Sequence, residues 1–370
     1  MDDLAHVSVA VLGVGAVGSV TSAYLARGGI DVAAFDPWHQ HVEETRSNGL
    51  RIAAPEEDFV VRVRIDHLDA LSRVARPIDV LFLALKSYDT EWAVRYAAPY
   101  LAPDGVIVSL QNGMNEPAIA AIVGRERTMG CVVHLTAELR GPGSAVASTG
   151  PSWSAYTVGE LDGARTERVE RIAAALSTVG TTKVTERIGA ALWAKLTTNT
   201  MTNGLASITG LTTRQLWADE RVVPVLLRIA GETIEVAYAC DEAVDPIKPP
   251  GAVDPLLPTD IRAAYRGDAA ARARLTSALR SLAASRSGRR ENRSSMLQDV
   301  LRGRRPEIDQ LNGHVVREGA ARGVPTPVNA ALVSLVHEVA AKRRELGPAN
   351  VELLPAAAAS VPVVPSSGLV

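Results

Sequence analysis

The stretch VSVAVLGVGAVGSV, residues 7–20, decides how the rest of the chain is read. Its opening residues are small or β-branched and apolar, which predicts a buried strand over His6–Leu12. Glycines follow at 13, 15 and 18, and from Ala16 the apolar residues fall at helical spacing, predicting a helix over Ala16–Arg27. Between a strand and a helix each glycine has a separate task. Gly13 makes the tight turn, Gly15 lets the backbone come close to a pyrophosphate, and Gly18 lets the helix pack on the strand. An anion placed there meets the free N–H groups and the positive end of the helix dipole. Gly13, Gly15, Ala16, Val17 and Gly18 are therefore the expected dinucleotide loop.

The next strand ends in DVAAFDPW, and its Asp36 stands where a carboxylate accepts hydrogen bonds from the adenosine ribose. A 2′-phosphate about 4 Å away would be repelled by roughly 4 kcal/mol at an effective dielectric of 20. Pro37, Trp38 and His39 follow, with no Arg or Lys to neutralise it. The cofactor expected is NAD(H), with NADP(H) as the alternative.

The bulk composition narrows the class. The chain has 370 residues, 47% of them hydrophobic, enough for two cores. A net charge of −2 gives no electrostatic reason for a nucleic-acid partner. Two cysteines, Cys131 and Cys240, lack any CxxC pattern and suit a reducing compartment. The acidic N-terminus does not resemble a signal peptide, and no apolar run reaches the ~18 residues of a membrane span. A cytoplasmic protein without a membrane partner is expected. Among seven histidines, His39 and His41 are the one close pair. With no third ligand near in sequence they read as loop residues, and no metal site is expected.

Apolar runs at Asp31–Phe35, Asp79–Leu85, Val106–Leu110, Thr128–Leu135, Ala155–Val158 and Thr181–Thr185 predict further strands. Helical spacing at Tyr88–Ala98 and Arg165–Thr178 separates some of them. This alternation implies an α/β fold, a parallel sheet covered on both faces. Beyond Arg187 the spacing is helical, over Ala190–Leu205, Val222–Ala239, Ala269–Ser285, Ile308–Arg322 and Asn329–Leu346. The expected organisation is a Rossmann dinucleotide-binding domain over 1–187, an all-helical domain over 188–346 and a flexible tail over 347–370. Residues 241–292 stand out as a Pro/Arg-rich insertion. Its prolines break regular helix, and its arginines read as a solvated helical face.

Lys195, Asn199 and Asn203 in WAKLTTNTMTNGLASITG are four residues apart, so they line one face of a helix among Leu192, Trp193, Leu196 and Leu205. Together with GVGAVGS, LALKSYDT, SLQNGMNE, SSMLQDVLRGRRPEIDQLNG and GVPTPVNAAL, in that order, this stripe resembles the ketopantoate reductase (2-dehydropantoate 2-reductase) family from about Val7 to Glu345. The resemblance implies a 2-oxo acid substrate, reduced in the cleft between the two domains, and a homodimer. By position, Lys195 resembles the catalytic lysine and Glu307 its partner carboxylate. Asn199, Asn203 and Ser295 match substrate-holding positions, Lys86 matches the cofactor edge, and Asn112 borders both.

The residue chemistry agrees. Hydride delivery to a ketone puts negative charge on oxygen, and a lysine can stabilise the alkoxide and protonate it. One well-placed donor is worth about 3 kcal/mol of the barrier. The two amides suit orientation of a polyoxygenated acid.

Three features depart from the pattern. Asp36-Pro37 replaces the basic residue that follows the second strand in NADPH-preferring members, Asn203-Gly204 replaces the usual Asn-Pro, and the 241–292 segment is long. A lid hinged at Pro249–Gly251, reshaped specificity or a dimer interface are the roles open to that segment. An NAD-dependent dehydrogenase on this scaffold, oxidising a larger secondary alcohol or 2-hydroxy acid, is the alternative activity. A dinucleotide-binding protein without turnover is the alternative from another class.

Overall fold

The computed structural model describes residues 7–148, 150, 152–249, 254–284 and 293–354. The chain divides into two compact units, Met1–Leu192 and Trp193–Val370.

The first unit is built on an eight-stranded sheet. In chain order the strands of this unit, in both of its sheets, are β1 (Val9–Leu12), β2 (Val32–Asp36), β3 (Leu50–Ala53), β4 (Asp58–Val61), β5 (Arg64–His67), β6 (Ile78–Leu83), β7 (Leu101–Ser109), β8 (Thr128–Val133), β9 (Ala137–Gly141), β10 (Ser144–Ala147), β11 (Ser154–Glu160) and β12 (Thr181–Val184). The helices are α1 (Ala16–Arg27), α2 (His39–Asn48), α3 (Thr90–Ala97), α4 (Glu116–Val123) and α5 (Glu167–Leu176). The large sheet runs β12-β11-β8-β7-β6-β1-β2-β5, and a second sheet runs β4-β3-β10-β9. From β1 the chain adds strands first towards β2 and then towards β6, so the switch in strand order lies at β1. Ligands of open α/β sheets sit at such a switch, beyond the carboxyl ends of the strands.

Alternation along the strands makes two cores. Val9, Val11, Val80, Phe82, Val106 and Val108 point to one face, with Val20, Ala23 and Tyr24 of α1 and Val169 and Ile172 of α5. Ala10, Leu12, Leu81, Leu83 and Ile107 point to the other, with Ala93, Val94 and Ala97 of α3 and Ile119 of α4. The sheet is mixed rather than wholly parallel, because β11 runs antiparallel to β8.

The small sheet has no counterpart in the sequence reading. LRIA, DFVV, AELRG and SAVA are too short and too polar to stand out by periodicity. Stacked over α1, that sheet buries the helix from Gly18 to Leu25 without a break. His39 and His41 are likewise not loop residues. They lie on α2, and the His41 side chain is fully buried, its Nδ1 accepting the Gly143 N–H at 3.0 Å. Burial lowers its pKa, so the ring is neutral and its role is packing.

α4 opens on Glu116, whose carboxyl is 4% exposed and has one oxygen without a hydrogen-bond partner. Desolvation raises its pKa to about 7 against the pull of the Glu116, Asn115 and Cys131 backbone N–H groups.

The second unit holds α6 (Ile188–Thr209, begun in the first), α7 (Thr213–Ala218), α8 (Val222–Ala239), α9 (Pro258–Tyr265), α10 (Ala269–Ala284), α11 (Ser295–Leu301), α12 (Asn312–Arg322) and α13 (Pro327–Ala340). α8 is its centre, packed by α9, α12 and α13. At its middle Glu232, 0% exposed, accepts the Val328 N–H at 3.1 Å and the Asn329 N–H at 3.0 Å, which fixes the start of α13. Asn329 in turn accepts from Asn312 Nδ2 at 2.9 Å, and Asn312 Nδ2 reaches the Thr200 carbonyl at 3.1 Å.

The Pro/Arg-rich segment is partly helical. Pro258–Tyr265 and Ala269–Ala284 are helices, while 241–249 carries no helix beyond a turn and one bridge joins Ile247 to Leu256. Pro250 and Gly251 of the expected hinge, and Ser285 of the expected helix, lie outside the described residues. Among the described arginines, Arg266, Arg272, Arg274 and Arg280 are exposed, as expected of a solvated face, while Arg262 and Arg266 both pair with Glu235, Arg274 with Asp260 and Arg280 with Glu220.

The segment read as a tail begins with packed residues. Asn350 donates to the Ile208 and Glu345 carbonyls at 2.8 and 2.9 Å, and Val351 and Leu354 are buried. These contacts come from side chains with no periodic pattern. Residues 355–370 lie outside the described set. Among the described residues no helix is long and apolar enough to cross a membrane.

Two stability tests follow from the buried carboxyls. Glu232→Ala leaves two buried N–H groups of α13 without acceptors and should cost on the order of 3 kcal/mol, read as a lower urea midpoint. Glu116 keeps a proton in the folded chain that the unfolded chain releases. That contribution is complete below about pH 4.5 and is lost as the pH rises towards about 7. Glu116→Gln, neutral throughout, should be more stable than the parent at pH 8 by on the order of 3 kcal/mol, with a smaller gain at pH 5 in guanidinium unfolding.

Candidate active site

The glycine loop lies between β1 and α1. Gly13 has φ +94°, and a Cβ there would stand 2.8 Å from the Leu85 backbone nitrogen. Gly18 is tighter still, since a Cβ would fall 1.9 Å from the Gly13 carbonyl oxygen and 3.3 Å from Ala84 Cβ. Gly15 differs from both. It has an ordinary φ of −68° at the N-cap of α1, and a Cβ there would meet nothing within 4 Å. Gly13 and Gly18 thus shape the loop, while the space in front of Gly15 is open. Ala16 and Val17 open the helix, whose first N–H groups face that side.

Asp36 ends β2 and is 7% exposed. Its Oδ2 accepts the Val14 N–H at 2.6 Å and its Oδ1 the Trp38 N–H at 2.7 Å. The carboxylate is therefore fixed beside the glycine loop, with one lone pair on each oxygen left for a ribose hydroxyl. Beyond it a cavity of about 430 Å³ is lined by Pro37, His67, Leu68, Asp69, Trp92 and Tyr96. Its aromatic and proline walls suit a planar base. These residues fit a dinucleotide: an open helix N-terminus for the pyrophosphate, a fixed acid for the ribose and a ring-walled recess.

Lys86 follows β6 and Asn112 follows β7, both half-buried. Their loops are tied by groups that the motif reading passed over. Ser87 Oγ donates to the Asn112 carbonyl at 2.6 Å, Gln111 Nε2 to the Leu85 carbonyl at 3.0 Å, and Thr90 Oγ1 to the Ser87 carbonyl at 2.8 Å. Asn115 Nδ2 adds a 2.8 Å bond to the Asn112 carbonyl. Gln111, Ser87, Thr90 and Asn115 lie inside the motifs LALKSYDT and SLQNGMNE, which is the signal that could have marked them. The carboxyl ends of four neighbouring strands, β2, β1, β6 and β7, thus carry every cofactor residue expected from the sequence.

In the second unit α6 runs unbroken from Ile188 to Thr209, so Lys195, Asn199 and Asn203 share one face as their spacing predicts. Asn199 and Asn203 are buried, Lys195 half-buried, and loss of hydration pulls the Lys195 ammonium below the usual lysine value. Trp193, two residues earlier, packs on His314 with ring centroids 5.9 Å apart. Burial holds His314 neutral by pushing it down to about 4.

Gly204, where the family pattern has proline, lies inside the unbroken α6, where proline would remove an N–H. It is also crowded: a Cβ would lie 2.7 Å from Leu332 Cδ2 and 3.3 Å from Ile308 Cδ1. That contact brings the Glu307–Ile308 turn against α6 one residue beyond Asn203. Glu307 is buried. It does not open a helix, because Glu307–Leu311 is a bend and a run of turns and α12 starts only at Asn312. Ser295 is the exposed first residue of α11, and its neighbour Ser294 caps that helix by accepting from the Leu297 N–H at 3.2 Å.

The profile of ketopantoate reductase PanE/ApbA matches residues 9–163, and that of the ketopantoate reductase PanE/ApbA C terminal matches residues 187–340. A 2-dehydropantoate 2-reductase of Archaeoglobus fulgidus is 28% identical over 334 residues, covering 90% of this chain and 97% of its own. The crystal structure of a PanE/ApbA family ketopantoate reductase from Ralstonia eutropha JMP134 is similar at TM-score 0.71 and 28% identity, covering 91% of this chain and 99% of that one. D-mandelate dehydrogenase, in a ternary structure with NADH and anilino(oxo)acetate, shares the fold at TM-score 0.75 and 23% identity, over 90% of this chain and 99% of that one. With both profiles matched in order over most of its length, this chain belongs to the ketopantoate reductase PanE/ApbA family.

Proposed function

We propose that the protein is a nicotinamide-dependent oxidoreductase acting on a CH–OH/C=O pair, and that it reduces 2-dehydropantoate to the 2-hydroxy acid. The observation that carries this reading is the desolvated lysine of α6 with two buried amides one and two turns along the same face. The family match and the curated relatives support the substrate.

The nicotinamide cofactor supplies the hydride. The residues of the chain do the rest. Lys195 Nζ stabilises the negative charge that develops on the carbonyl oxygen, and passes a proton to it as the C–H bond forms. Its lowered pKa reduces the cost of giving up that proton. Asn199 and Asn203 orient the carboxylate and hydroxyl of the acid, with Ser295 at the edge of α11. Glu307 is the partner carboxylate, positioning the substrate hydroxyl from the turn that packs at Gly204.

For the cofactor, the proposal is NAD(H). Asp36 cannot turn away from a 2′-phosphate, because both of its oxygens are held by backbone N–H groups. The assembly proposed is a homodimer, as in the resemblance from which it is drawn.

Initial rates of 2-dehydropantoate reduction test the chemistry. Lys195→Ala should lower kcat/KM by 10²–10³. The parent rate should fall as pH rises through the lowered lysine value, a limb absent from the variant; equal rates for the two would sink the proposal. Cofactor choice is tested separately. The parent should use NADH with the higher kcat/KM, and Asp36→Asn should shift the NADH/NADPH ratio towards NADPH by about tenfold or more. A parent that prefers NADPH would overturn the role given to Asp36.

A further inference from the structure

The helix α2 carries a second chemistry-bearing group outside the proposed reaction. His39 and Glu43 are one turn apart on it and so share a face. β2 and β5 pair in parallel with Asp36 opposite His67, so the end of β5 lies beside the start of α2. The His39 and His67 rings stack with centroids 4.6 Å apart and planes inclined by 27°. His67 Nε2 is 2.9 Å from Glu43 Oε1. One donor atom from each of the three residues lies within 4.8 Å of the other two.

Two imidazole nitrogens and a carboxylate oxygen, two of them from i and i+4 of one helix, are the donor set of a borderline-soft divalent ion. A tetrahedral zinc ion with ligands at about 2.05 Å would need these atoms about 3.3 Å apart. Closing from the present spacing takes side-chain rotation only, since His39 is exposed and Glu43 and His67 are partly so. Arg46 competes, because its Nη1 donates to Glu43 Oε1 at 2.8 Å. It has other partners to keep, the Asp66 carboxylate and the Ile65 carbonyl. Glu43 can therefore turn from it without leaving the guanidinium unpaired. Along the sequence His39 has no third ligand nearby, and the β2–β5 pairing is what supplies one.

We propose that His39, Glu43 and His67 form a binding site for one divalent transition-metal ion of the zinc class, with solvent completing the coordination. The ion would cross-link α2 to the end of β5. It takes no part in the hydride transfer proposed above, and because His67 also lines the recess beside Asp36, binding is read without cofactor.

The test uses the full chain, stripped with chelator and free of cofactor. Zn²⁺ is titrated by calorimetry, and Co²⁺ by its visible absorption. One ion should bind per chain, and His39→Ala and His67→Ala should each weaken it at least tenfold. His337→Ala, at another partly exposed histidine paired with a carboxylate, should leave it unchanged. Zn²⁺ should raise the melting temperature of the parent and not that of His39→Ala, an exposed change that spares the fold. No saturable binding, or binding that both variants retain, would overturn the proposal and leave the cluster as an ion pair only.

Discussion

The carboxylate of Asp36 holds two backbone N–H groups at once, and the geometry of the first unit's ligand-binding edge depends on it. One belongs to Val14, inside the glycine loop, and the other to Trp38, just past the end of β2. The loop is otherwise shaped by what it lacks. Gly13 takes a positive φ, and Gly18 comes so close to the Gly13 carbonyl that no side chain fits between them. The same acid that organises the loop also sets the charge that a ribose or its phosphate would meet.

The second unit solves a different problem, which is how to keep polar groups inside a helical core. Glu232, Asn329 and Asn312 are fully buried, and each is spent on a neighbouring backbone or amide. The network ties α8, α13 and α12 to the carbonyl of Thr200, in the middle of the stripe formed by Lys195, Asn199 and Asn203. Gly204 then lets Leu332 and Ile308 approach that helix. The face that carries the lysine is thus rigid on its buried side.

Charge and aromatic packing on the rest of the surface follow the same economy. Gly231 leaves room for the Tyr265 ring on α8, and Glu235 takes both Arg262 and Arg266. Helix α9 is in this way tied to α8 through its two arginines. His39 and His41, two residues apart, have unrelated fates. One is exposed on α2 beside His67, and the other is enclosed beneath the small sheet.

Some of this was legible in the chain by itself. Strong periodic runs placed β1, α1, β2, α5, α6 and α8, and the 13–15–18 glycine spacing with Asp36 after it marked the dinucleotide loop. The four-residue spacing put Lys195, Asn199 and Asn203 on one face, because a helix imposes that geometry wherever it forms. What the sequence could not show were relations between residues far apart along it. The small sheet, the burial of His41, the docking of Asn350 on the end of α6 and the turn around Glu307 each depend on partners many residues away. The His39–Glu43–His67 cluster exists only through the β2–β5 pairing. Local spacing determined which faces the elements present, since backbone geometry is the same everywhere. Only the tertiary structure decided what each face meets, since packing and hydrogen bonding act through space and not along the chain.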